Sequence, residues 1–144
     1  MLASPGCWAA YGSLLAEGAV SPLLTPHGTL TVDAYAVQHP GVPGPQATQS
    51  VWVHLITLHL LLERGWPAEQ AIRLRTIAAD SSSGWSWLDP PDSMGPATAI
   101  DVVQAEADDA GDAVRAWVDG AWAAWEPHHL AIRRIAERLV DRMG

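Results

Sequence analysis

The sequence predicts an all-α fold: an irregular helical bundle of five to seven helices, one domain over residues 1–144, around a buried central helix at 46–64. Three observations carry that expectation. A chain of 144 residues has the size of one domain, and 49% apolar with 17% charged residues excludes intrinsic disorder. The run QSVWVHLITLHLLLERG is hydrophobic almost all round a helical wheel, as a helix enclosed by others must be. Helix stop and start signals recur at helix-length spacing, at Pro40–Gly41, Gly65, Pro67 and Thr98.

Residues 7–17 (CWAAYGSLLAE) read as a short first helix, ended by Gly18 and the Pro22–Pro26 stretch. Thr29 or Thr31 can cap the next helix, with Asp33 favourably placed in its first turn. Pro40 and Gly41 stop that helix and leave His39 at its C-terminal end. The central helix runs from Gln46 to Arg64 and closes at Gly65. On it Val51, His54, Leu55, Leu58, Leu61 and Leu62 share one broad face, while Trp52, Ile56 and His59 lie elsewhere. Pro67 suits the first position of PAEQAIRLRTIAAD. Residues 81–97 form a long irregular loop bearing Trp85 and Trp87, and loops of that length are often functional. Thr98 and Asp101 make a capping-box start for TAIDVVQAEA. Residues 109–125 form a helix that is bent or restarted at Pro127 and continues to about residue 142.

Charge and composition exclude several classes. The net charge is −8, with eight arginines and no lysine, so nucleic acid is not an expected partner. The stripe Arg133, Arg134, Arg138 and Arg142 alternates with apolar residues and reads as the solvated face of a terminal helix. One cysteine, Cys7, rules out an internal disulfide framework and a multi-cysteine zinc site. The longest apolar run is broken by His54, Thr57 and His59 and falls short of the roughly 18–20 residues a membrane span needs. With no signal-peptide pattern at MLASPGCW, a soluble, cytoplasmic protein is expected. The eight tryptophans either line a pocket or fill a core that has no phenylalanine, and the second reading is favoured.

Six histidines carry most of the chemical information. Neither HExxH nor HxxxH occurs. His54 and His59 are five residues apart, about 140° around a helix, and cannot face one ion together. His128 and His129 are about 100° apart, so only one of them is expected to enter a site. The expected metal set therefore takes His39, His54 and one of His128 or His129, with His27, Asp33 and Cys7 as candidates to complete it. Neutral imidazoles suit zinc, nickel or iron, and a carboxylate from Asp33 favours zinc or iron.

Each histidine also has a structural reading, as a satisfied core residue or, for His39, as a cation capping a helix C-terminus. A metal-free alternative makes His54 a general base in a tryptophan-lined pocket, oriented by Asp33 or a backbone carbonyl. Tyr35 and Gln38 would then hydrogen-bond a polar substrate. Cys7 paired with a histidine would give a nucleophile, but no nucleophile elbow or protease signature accompanies it. There is no glycine-rich phosphate loop and no dinucleotide fingerprint.

The segments SPGCWAAYG, HGTLTVDAYAVQHPG, QSVWVHLITLHLLLERG, WLDPP and VRAWVDGAWAAWEPHH occur in this order. In them the chain resembles a family of small bacterial proteins of unknown function, which brings no activity with it. The positions matching its pattern are Cys7, Trp8, His27, Asp33, Tyr35, Gln38, His39, Pro40, Gln49, His54, Trp87, Trp117, Trp125, His128 and His129. His59 falls where the family accepts other residues. The resemblance implies a CPxC-type segment ahead of this region in many members; none is expected here, and with it no cysteine-based structural zinc site.

The leading expectation is a small helical protein holding a divalent ion, zinc or iron first, through histidines from three segments. Such a site would also serve a metal-dependent enzyme acting on a small molecule. In that enzyme the ion would polarise a substrate oxygen or activate water, with Tyr35 or a spare histidine moving protons. The alternative is a non-enzymatic ligand-binding or protein-interaction module that uses a Trp-rich surface around Trp85 and Trp87, a homo-oligomer included.

Overall fold

The computed structural model describes residues 9, 11–12, 28–81 and 84–143. Most of the helix expected at 7–17 lies outside them, as do Cys7, Trp8 and His27. Six helices follow: α1 (Gly28–Gln38), α2 (Pro45–Leu62), α3 (Ala68–Asp80), α4 (Ala99–Gln104), α5 (Ala110–Ala124) and α6 (His129–Met143). Among the described residues there is no strand, and the fold is an all-α bundle.

The eighteen-residue α2 is the axis of the bundle and packs against α1, α3, α5 and α6. Pro45 opens it, because a proline at the first helical position lacks only an N–H that would be unpaired anyway. Gly65 follows its end at φ +63°, a conformation glycine adopts without Cβ strain. Burial along α2 covers every side of the helix: Val51, Trp52, Leu55, Ile56, Leu58, His59 and Leu60 are all buried. The face expected from periodicity is shifted, since Leu61 and Leu62 are only half-buried. His54, expected on the core face, is half-buried where α2 meets α3.

Helix α1 begins at Gly28, so Thr29 and Thr31 lie within it and neither is its cap. Asp33 is accordingly mid-helix, and its role is not to offset the helix dipole. At α4 the capping box is present: Asp101 accepts the Thr98 backbone N–H at 2.7 Å, and the Thr98 hydroxyl accepts the Ile100 N–H at 3.3 Å. Pro127 sits in a 3-10 turn (Glu126–His128) that separates α5 from α6, so the last helix is restarted rather than bent.

Tryptophans fill the core. Trp117 and Trp125 are fully buried at its centre, with Trp52 and Trp122 also buried. Each of three indoles finds a carbonyl acceptor at hydrogen-bond distance, as a buried indole N–H must. Trp52 donates to the Ser86 carbonyl (2.7 Å), Trp117 to Gln38 Oε1 (2.8 Å) and Trp125 to the Val37 carbonyl (3.1 Å). No helix among the described residues is long and apolar enough to cross a membrane.

Candidate functional site

Asp33 has no solvent exposure. A buried carboxylate persists only if it is paired, since desolvating an unpaired charge costs several kcal/mol or more. Asp33 is paired twice through one oxygen. The Nδ1–H of His54, from α2, donates to Oδ1 at 2.7 Å, and the Arg75 guanidinium, from α3, donates to the same atom. Arg75 Nε–H also reaches Thr57 Oγ1 at 3.2 Å, and the Thr57 hydroxyl donates to the Val53 carbonyl at 2.8 Å. Three helices are thus joined at one carboxylate. Burial raises the Asp33 carboxyl above its ordinary value, against the lowering pull of His54 and Arg75. Its Oδ2 is buried and has no hydrogen-bond partner among the described residues.

The hydrogen bond to Asp33 sets the His54 imidazole. With the Nδ1 proton held by the carboxylate, a neutral ring carries its lone pair on Nε2, which has no protein partner among the described residues. The side chains of His54 and Arg75 are 19% and 24% exposed. Both line a groove of about 480 Å³ between α2 and α3, together with Gln46, Gln49, Ser50, Val53, Thr76, Ala79 and Asp80. Gln49 Nε2–H donates to the Ala79 carbonyl at 3.1 Å and ties the two walls together. A groove of this volume suits a small organic molecule.

Tyr35 and His39 occupy another face of α1. Tyr35 stacks on Tyr11 with ring centroids 3.9 Å apart and planes 6° from parallel. The His39 ring lies 4.3 Å from Tyr35, and its Nδ1–H donates to the Tyr35 carbonyl at 2.9 Å. Burial and then the Asp33 charge raise the Tyr11 phenol, so the tyrosine stack lies within the field of that carboxylate.

The remaining sequence candidates are engaged elsewhere. The Gln38 amide donates to the Met94 and Ala97 carbonyls, both at 2.8 Å, and accepts from Trp117, which ties the 84–98 loop to α1 and α5. His128 Nε2–H donates to the Asp89 carbonyl at 2.8 Å. His129 Nε2–H donates to the Trp122 carbonyl at 2.8 Å, and its ring stacks on that indole at 3.8 Å. His59, which helical geometry had set apart from His54, is buried and donates to Glu63 Oε1 at 2.7 Å. Among the described residues, no three of His, Cys, Asp and Glu gather as a group able to hold a metal ion.

Sequence reasoning did not single out Arg75. The signal was available in outline: a carboxylate in the middle of an apolar helix demands a cation, and Arg75 stands between Leu74 and Ala78 on a helix that must bury a face.

The model of a family of unknown function, DUF5946, matches residues 1–126. The chain belongs to that family. Asp33, His54 and Arg75 all fall within the part that defines DUF5946, whereas α6 lies beyond it. No curated protein and no solved structure matches the chain.

Proposed function

We propose that this DUF5946 protein binds a small polar molecule in the α2–α3 groove and transfers a proton on it through His54. The observation that carries this reading is the 2.7 Å hydrogen bond from His54 Nδ1 to the buried Asp33 carboxylate, at the wall of a groove of small-molecule size. A carboxylate in that position holds one tautomer and stabilises the imidazolium that forms when Nε2 takes a proton. Arg75 is fixed by Asp33 and Thr57 and also lines the groove, where it would hold negative charge on the bound molecule. Gln49 and Ser50 supply further polar groups. In this reading neither Tyr35 nor Gln38 contacts the bound molecule: Tyr35 stacks on Tyr11, and Gln38 is committed to the loop and Trp117.

A second reading, a divalent ion on His54, is favoured by the same bond. Metal-ligating histidines commonly give their other N–H to a carboxylate, which orients the ring and raises its basicity. Zinc or iron would suit the imidazole, with His27 and Cys7 the remaining sequence candidates to complete the set.

One set of measurements separates these readings. Titrating the purified chain with a panel of small carboxylates, amines and alcohols should shift backbone amide signals of Ser50, Thr76 and Ala79. A panel that shifts none of them overturns the small-molecule site. Elemental analysis of protein purified without a histidine tag tests the ion. About one equivalent of metal, lost in His54→Ala and kept in His59→Ala, supports it. A content near zero removes it and leaves the proton-transfer reading.

A further inference from the structure

We propose a second binding site, separate from the groove at His54, for a small organic anion carried on a flat apolar body. It is a cavity of about 310 Å³ where α6 meets the segment following α3, lined by Ser81, Gly84, Trp85, Ile135, Arg138, Leu139 and Arg142.

The arginine stripe of the last helix divides unequally. Arg133 is neutralised by Glu63, to which it donates twice, at 2.9 and 2.7 Å. Arg138 and Arg142, one helical turn apart, have no carboxylate partner among the described residues. Arg142 donates only to the Ser81 hydroxyl, at 2.6 Å, and Arg138 has no protein acceptor among those residues. In a chain of net charge −8, two arginines without carboxylates at one cavity are a local reversal of sign. Among the described residues, none lining the cavity is a carboxylate.

The polar side chains at this cavity offer donors in excess: two guanidiniums, one of them on the Ser81 hydroxyl, and the Trp85 indole, whose N–H has no acceptor among the described residues. Both guanidiniums are exposed, and an anion at this cavity would take their N–H groups in exchange for water. The rest of the lining is apolar. Ile135 and Leu139 follow the same helical face as the arginines, and Trp85 faces them, tilted 37° against Trp52 at 5.5 Å. Trp52 holds this loop in place through the Ser86 carbonyl. An indole wall opposite two aliphatic side chains accepts a planar body, while the arginines take its carboxylate or phosphate. Four of the seven lining residues lie in α6, beyond the residues that the family model matches, so the site is not one that family membership accounts for.

The test is calorimetric titration of the full chain with naphthalene-2-carboxylate, its uncharged carboxamide and inorganic phosphate. The carboxylate should bind at least about tenfold more tightly than either comparison probe, and more weakly as ionic strength rises. Arg138→Gln/Arg142→Gln should weaken it at least about tenfold, Trp85→Ala should weaken it while the helical circular dichroism is unchanged, and His54→Gln should leave it as it was. Equal binding of carboxylate and carboxamide, or of carboxylate and phosphate, would overturn the proposal. So would undiminished binding by the double arginine variant, loss of binding in His54→Gln, or no binding at all.

Discussion

Asp33 Oδ1 and His54 Nδ1 lie 2.7 Å apart, the carboxylate fully buried and the imidazole partly open to a groove. This asymmetry gives the pair its chemical direction: one end is sealed in protein, and the other end of the ring is available.

Truncating the carboxylate therefore has two consequences. Asp33→Ala leaves Arg75 and His54 donating into a buried gap and should lower unfolding stability by about 3 kcal/mol, measured by urea denaturation. Asp33→Asn keeps an acceptor and should cost about 1 kcal/mol. Nitrogen-15 spectra should show neutral His54 as the Nδ1–H tautomer in the parent chain and a mixture in Asp33→Ala. An unchanged tautomer in that variant would show that Asp33 does not set the ring.

Gln38→Ala removes the acceptor of a fully buried indole and the donor to two loop carbonyls at once. An unfolding penalty of about 2–3 kcal/mol is expected, with increased hydrogen exchange at residues 94–98. Exchange unchanged there would mean that the amide does not anchor the loop.

Among the described glycines, Gly95 is where a methyl group fits least. Its φ is +99°, and a Cβ there would lie 2.8 Å from the Gly120 carbonyl oxygen, which is backbone and cannot rotate away. Gly95→Ala should cost at least about 2 kcal/mol in thermal or chemical unfolding. Gly111→Ala, which meets nothing within 4 Å inside α5, should be neutral or slightly stabilising.

Acid should weaken the fold in two stages. Arg133 and His59 hold the Glu63 carboxyl down to about 2 from 4.5. That pairing contributes fully above about pH 4.5 and is lost as pH falls towards 2, and its partial exposure limits it to about 1 kcal/mol. His59 acts at higher pH: burial lowers it from 6.5, so the unfolded chain takes up its proton first and stability falls as pH drops below that value. Asp33 works in the opposite sense, because its raised carboxyl favours the folded state on protonation. Glu63→Gln should flatten the lower stage of a stability–pH curve and deepen the upper one, because it removes the carboxylate that raises His59 against its burial. An identical curve for that variant would count against the pair.

The sequence was most legible where a local rule decides. The apolar run at 46–64, Gly65 after it, the Thr98–Asp101 capping box and the break at Pro127 are each set by neighbours within four residues, while Pro67, expected as the first helical residue, is the extended cap before Ala68. The start of α1 was misread because Thr29 and Thr31 have capping chemistry, yet the helix already includes Gly28. The face of α2 was misread because a helix enclosed on all sides has no periodicity to give its orientation. The proximity of Asp33 and His54 was anticipated as one option for an acid–base site, whereas Arg75, 42 residues further on, was not. Nothing local signals which of eight arginines a buried carboxylate will meet.

The junction at Pro127 has a consequence for the order of folding. The Trp122–His129 stack, closed by the His129-to-Trp122 hydrogen bond, spans only seven residues, whereas Gln38 and Trp117 are 79 apart and Val37 and Trp125 are 88 apart. Closing a short loop loses little chain entropy, and closing a long one loses more before any contact repays it. The corner between the last two helices is thus a native contact that the chain can make early and alone, before the N-terminal half arrives to cover it.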